Sequence, residues 1–124
     1  MLATYAELSA SIRSEATAHQ YKGALRRYLA YRKQEELSDL LEGAQAQPKI
    51  IESDIIAYLV YLKQQQKISW SSRNGELSAL KHFYKMNDIT LNWYKIGRYL
   101  GEHTIVEDRT KYSTVQSNLV DLNS

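Results

Sequence analysis

SSRNGELSALKHFYKMND, residues 71–88, carries the clearest helical signature in the chain. Leu77, Leu80, Phe83 and Tyr84 recur three or four residues apart and mark one apolar side. Ser71 or Ser72 offers an N-terminal cap, because a short hydroxyl side chain can accept from the first unpaired backbone N–H groups. Met86-Asn87-Asp88 closes the segment. Gly75 stands inside it, although a glycine in a helix interior costs about 1 kcal/mol relative to alanine. A second helical stretch, SEATAHQYKGALRRYLAYRK (14–33), keeps a glycine in the same way, at Gly23.

The rest of the chain reads outward from these two stretches. Ser14-Glu15-Ala16-Thr17 supplies a capping serine and an acidic first turn. Tyr21, Leu25, Tyr28 and Leu29 follow as an apolar stripe, closed by Tyr31 or Arg32. A shorter helical piece precedes it, with Leu2, Tyr5, Leu8 and Ile12 on its apolar side. Residues 35–51 are a connection: EELSDLLEG holds a helical turn, and GAQAQPK, with the sole proline Pro48, is a breaker. Glu52-Ser53-Asp54 then caps a helix that buries Ile55, Ile56, Leu59 and Leu62, widened by Tyr58 and Tyr61 and ending in KQQQK. Ile68-Ser69-Trp70 links it to the 71–88 helix, and a last short helix runs from Trp93 to Leu100 before Gly101. Residues 102–124 read as an extended tail whose last ten residues hold at most one helical turn. No strand-type alternation stands out. The expectation is one all-α domain, a small bundle of four to five helices.

Composition narrows the function classes. The 124 residues contain no cysteine, which removes disulfides and thiolate metal sites. The longest apolar or aromatic run, IIAYLVYL (55–62), is far short of the roughly 20 residues a membrane helix needs. The start of the chain lacks the basic and apolar regions of a signal peptide. The expected location is therefore cytoplasmic or nucleoid-associated. Net charge is only +2, but it is unevenly spread. Residues 13–34 and 63–98 each carry +5, and residues 35–62 between them carry −5. If the two basic segments pack side by side, they offer a polyanion a positive face. Solvated helix surfaces are the alternative reading.

Three pieces of sequence resemble a known family. They are Thr17…Tyr21…Leu25…Tyr28, Asp54-Ile55…Tyr58-Leu59…Leu62, and Ser71-Ser72…Leu77-Ser78-Ala79-Leu80-Lys81-His82-Phe83-Tyr84. Together they resemble the N-terminal, SAM-like core-binding domain of tyrosine recombinases, the group that includes the phage integrases. LSALKHFY is the most specific piece, and the resemblance runs from about residue 14 to 100. The tail, with Glu107-Asp108-Arg109-Thr110-Lys111-Tyr112-Ser113, is similar to the linker into the catalytic domain of archaeal-type integrases, although Val115-Gln116-Ser117 stands where glutamates are usual. The resemblance implies residues 1–13 as an arm or short helix, 14–101 as the core-binding domain, and 102–124 as a linker toward a catalytic domain.

It also implies double-stranded DNA as partner, with contacts to neighbouring recombinase protomers on that DNA, and no cofactor, metal, membrane or small-molecule substrate. The family's chemistry uses a tyrosine nucleophile within a cluster of arginines, a lysine and a His-x-x-Arg pair, all in the C-terminal domain. Here Lys22, Lys85 and Val106 stand three residues after His19, His82 and His103, so no His-x-x-Arg exists. The ten tyrosines read as core and interface residues, and the chain is expected to be non-catalytic.

In the family this domain holds one side of a duplex while the catalytic domain closes on the other. The residues that this implies as DNA contacts are Thr17, His19, Gln20, Lys22, Gly23, Arg26 and Arg27 on the first long helix, and Ser71, Ser72, Arg73, Gly75 and Lys81 on the third. Gly23 and Gly75 then admit a phosphate ridge or groove wall, with helix–helix packing as the other reading. Ser71 and Ser72 are caps, phosphate contacts or both. His19 and His82 are groove contacts or simply exposed, and Thr17 is a contact or a first-turn hydroxyl. Trp70 and Trp93 read as lids on the core rather than stacking platforms. Lys63, Lys67, Lys85, Lys95 and Arg98 contribute general electrostatics. The competing function is a helical protein–protein adaptor, for which the acidic connection offers a surface.

Overall fold

The computed structural model describes residues 4–101. Within them the chain forms α1 (Tyr5–Ala10), α2 (Glu15–Arg32), a 3₁₀ turn (Leu37–Leu41), α3 (Pro48–Gln64), α4 (Trp70–Met86), α5 (Trp93–Gly97) and a closing 3₁₀ turn (Arg98–Leu100). The chain is all-α over these residues. The expectations for Leu2 and for the tail from Glu102 onward fall outside them.

Local chemistry explains most of the boundaries. Thr4 and Glu7 form a reciprocal capping box at the start of α1. Ser14 caps α2, as expected, by accepting from the Thr17 N–H. Two starts differ from the sequence reading. Helix α4 begins at Trp70 and is capped by Ser69, whose hydroxyl accepts from the Ser72 N–H, so Ser71 and Ser72 lie inside the first turn. Helix α3 begins at Pro48, because proline's fixed φ and missing N–H suit the first helical position. Glu52 is consequently not a cap. It is buried and accepts from the Asn92 N–H at 2.8 Å and from Lys95 Nζ at 2.6 Å, tying α3 to α5. The Lys95 bond holds its carboxyl below the usual range, helped by the Asn92 N–H and opposed by burial.

The core gathers Leu25, Tyr28 and Leu29 of α2, Ile55, Tyr58 and Leu59 of α3, and Leu77, Leu80, Phe83 and Tyr84 of α4. Leu8 of α1 and Ile96 of α5 are fully buried in the same cluster. Each such side chain contributes about 2 kcal/mol by leaving water. Trp70 and Trp93 pack half-buried against this core. Tyrosines make up the α2–α3 seam: the rings of Tyr28 and Tyr58 meet edge-on at 4.9 Å, and Tyr31 lies 4.9 Å from Tyr58 and 4.8 Å from Tyr61. Burial pushes the Tyr28 phenol up to about 12 and also raises those of Tyr58 and Tyr84. These phenols stay protonated: Tyr84 donates to the Leu40 carbonyl at 3.0 Å and Tyr58 to Glu76 at 2.8 Å, while the Tyr28 oxygen accepts from Arg32 at 3.3 Å.

Helices α2 and α4 run antiparallel. Arg27 meets Glu76 near one end of the seam, and the Tyr21 and His82 rings meet at a tilt, 5.5 Å apart, near the other. The two basic segments therefore lie side by side.

Candidate nucleic-acid interface

An open groove of about 420 Å³ follows the α2–α4 seam. Gln20, Ala24 and Arg27 line it from α2, and Ser71, Ser72, Gly75 and Glu76 from α4. Leu62 and Ile68 close its end. Five of the twelve residues singled out from the sequence meet here: Gln20, Arg27, Ser71, Ser72 and Gly75. Ser71 and Ser72 place hydroxyls at the N-terminal turn of a 17-residue helix, where the helix dipole favours an anion. A second hollow, lined by Lys63, Lys67, Ile68, Ser69 and Arg73, shares Ile68 with the first, which puts two exposed lysines near the groove's rim.

The two glycines differ in their surroundings. A Cβ at Gly75 would meet nothing within 4 Å, so no helix packs on it. Space there is open toward the groove. A Cβ at Gly23 would meet only the Arg27 guanidinium, at 3.4 Å from Nη1. Gly23 makes room for its own helix's arginine, not for a neighbouring helix.

Arg73 is a correction. It is only 2% exposed and cannot present its charge to a phosphate. Its guanidinium donates instead to the carbonyls of Ile68 and Leu100. Arg73 is turned inward because it lies four residues before Leu77 and seven before Leu80, on the buried side of α4. The other candidates are dispersed. Arg26 lies over the Tyr5 ring of α1, 4.8 Å from its centroid, on the flank of α2 away from the groove. Lys22 shares that flank by helical spacing, and His19 is exposed on the outer side. Lys81 is exposed but does not line the groove. Thr17 is half-buried one turn before Gln20, its N–H bonded to Ser14. His82 is half-buried, its ring nitrogen 2.9 Å from Ser11 Oγ, and burial lowers its pKa.

Three of the basic side chains are paired within the domain: Arg27 with Glu76, Arg32 with Asp54 at 3.0 Å, and Lys95 with Glu52. The groove therefore holds both signs of charge on a partly apolar lining and is not a continuous positive strip. Two residues that sequence reading left unassigned to the site organise it. Glu76, 8% exposed, lies on the groove floor, and Tyr58 donates to it from α3. The only sequence signal for Glu76 was its helical spacing from Ser72 onto the α2 side of α4.

Two antiparallel helices frame an open groove in a small helical module, and no His, Cys, Asp and Glu grouping able to hold a metal ion occurs among the described residues. The family model for the phage integrase N-terminal SAM-like domain matches residues 5–87, and the chain belongs to that family. In integrases this domain is a non-catalytic region. Comparison with curated proteins and with solved structures gave no match. No helix among the described residues is long and apolar enough to cross a membrane.

Proposed function

We propose that the chain is the DNA-holding module of a site-specific tyrosine recombinase or integrase, which grips one side of a duplex while a catalytic domain closes on the other. The observation that carries this reading is the antiparallel packing of α2 on α4, which brings Gln20, Arg27, Ser71, Ser72 and Gly75 into one open groove. Arg27 and the two serines contact phosphates, Gly75 lets a phosphate ridge come close to the α4 backbone, and Lys63 and Lys67 add charge at the rim. The contacts are to the backbone of the duplex, so the module positions and does not read sequence.

Salt dependence tests it. A module neutralising three to five phosphates loses roughly 40- to 500-fold in affinity between 50 and 200 mM salt. An adaptor without DNA binding would retain no duplex even at 50 mM. The adaptor reading has its own support on α5 and the turn after it, where Tyr94 is 77% and Tyr99 47% exposed. On the DNA reading these rings serve contacts with neighbouring protomers.

A further inference from the structure

A carboxylate on the floor of a groove meant for phosphates needs a reason. Glu76 repels a polyanion, and taking a carboxylate out of water costs several kcal/mol unless it is well bonded. Its bonding is complete enough to offset that cost. Oε2 accepts from both Nε and Nη2 of Arg27, the former at 3.0 Å, and Oε1 accepts from the Tyr58 hydroxyl at 2.8 Å. The bond to Glu76 raises the Arg27 pKa further. Three helices thus meet in one line of hydrogen bonds, Tyr58 of α3, Glu76 of α4 and Arg27 of α2.

The consequence lies in what is left of the guanidinium. It carries five N–H groups in a rigid plane, and Glu76 occupies one on Nε and one on Nη2. The two on Nη1 and the outer one on Nη2 have no partner among the described residues. Nη1 lies 3.4 Å from where a Cβ would stand at Gly23, so a side chain there would crowd this edge of the plane. The Arg27 side chain is 60% exposed, so this edge of the plane is open to solvent. An unrestrained arginine on a helix surface would lose about 2 kcal/mol of rotamer freedom on ordering at a phosphate. Here the ordering is already done by two buried groups.

We propose that Glu76 and Tyr58 are positioning residues that hold the Arg27 guanidinium across the groove, so that Nη1 and the outer Nη2 N–H receive a DNA phosphate. This rests on the DNA-holding reading above. Glu76 strengthens binding although its charge opposes it, and Gly23 leaves space beside Nη1. The arrangement predicts the sign of a charge-removing substitution, which a purely electrostatic groove would reverse.

The test is anisotropy of a labelled 30-base-pair duplex of arbitrary sequence, titrated with wild type, Arg27→Gln, Glu76→Gln, Tyr58→Phe and the Arg27→Gln/Glu76→Gln double variant, from 50 to 200 mM salt, with melts of each. Arg27→Gln should weaken binding about tenfold and reduce the salt slope by about 0.9. Glu76→Gln should also weaken it, roughly three- to tenfold, with the same fall in slope, and add nothing in the Arg27→Gln background. Tyr58→Phe, which changes no charge, should weaken it about two- to fivefold. Tighter or unchanged binding by Glu76→Gln, or additive losses in the double variant, overturns the proposal while leaving the module a DNA binder. If Glu76→Gln does not fold, Tyr58→Phe decides alone, and wild-type affinity in that variant overturns it. No binding by the wild type at 50 mM salt overturns the DNA-holding reading and this proposal with it.

Discussion

Arg73 reaches 27 residues along the chain to donate both Nε and Nη2 to one acceptor, the carbonyl oxygen of Leu100, at 3.1 and 2.6 Å. The adjacent Trp70 indole donates to the Gly101 carbonyl at 3.2 Å. The point where the chain leaves the described domain is thus pinned to the first turn of α4, beside the groove. Replacing Arg73 with methionine removes the donors and leaves buried carbonyls at Ile68 and Leu100 unpaired. The expected cost is about 2–4 kcal/mol, read as a fall in thermal midpoint of roughly 10 °C or more. Duplex affinity measured well below that midpoint should match wild type. A large affinity loss in a fully folded Arg73→Met sample would return this residue to the interface.

Gly75 separates stability from binding in the opposite direction. Its backbone is helical and a Cβ there meets nothing, so Gly75→Ala should stabilise the domain by about 0.5–1 kcal/mol through helix propensity. Gly75→Leu should fold as well as wild type and lose duplex affinity, because the branched side chain fills the groove. A destabilised Gly75→Ala would mean that the glycine serves packing after all.

These two residues also show what the sequence made legible. The apolar stripes of α2, α3 and α4 were readable because 3.6-residue periodicity survives any error of a residue or two at the ends. The inward turn of Arg73 was not, because its charge hides its place on the α4 stripe four residues before Leu77, and the start of α4 was not, because three serines in four residues offer the backbone equivalent acceptors. Pro48 reads equally as a breaker and as a first helical residue, so the start of α3 and the fate of Glu52 stayed hidden together. The groove itself was half legible. Helical spacing put Gln20 and Arg27 on one flank, but which flank of α2 faces α4 is a tertiary fact. It divides Arg27 from Lys22 and Arg26, which net charge treats alike. Glu76 counted only as a subtraction from the positive total until its partners on two other helices were known.

Acid should lower the stability of the domain in two steps. The His82 pKa is lowered by burial from an ordinary 6.5, and that of Glu52 is lowered from 4.5 chiefly by its bond to Lys95. In both cases the unfolded chain binds the proton more readily. The stability each contributes is therefore complete above the unfolded value and is lost as pH falls through the depressed folded one. The first loss begins below about pH 6.5 and the second below about pH 4.5. Urea midpoints should show both in wild type. His82→Gln should abolish only the first and Glu52→Gln only the second, the latter variant being weaker by about 1–2 kcal/mol at pH 7. A first step that persists in His82→Gln would assign it to another group.

The groove rim and the α1 side of α2 make opposite predictions for salt. Lys63 and Lys67 border the hollow that shares Ile68 with the groove, whereas Lys22 and Arg26 lie on the side facing α1. At 0.1 M salt, charges more than about 10 Å from a phosphate are largely screened, so only the first pair should register as released counterions. The Lys63→Gln/Lys67→Gln variant should lower the slope of log affinity against log salt by about 1.8 if each lysine meets one phosphate. Lys22→Gln/Arg26→Gln should leave that slope unchanged. Its only expected cost is the Arg26 contact with the Tyr5 ring, about 0.5–1 kcal/mol of stability, so both variants are compared below their melting ranges. A reversed pattern, with the slope following Lys22 and Arg26, would move the DNA to the α1 side of the domain and leave the α2–α4 groove facing solvent.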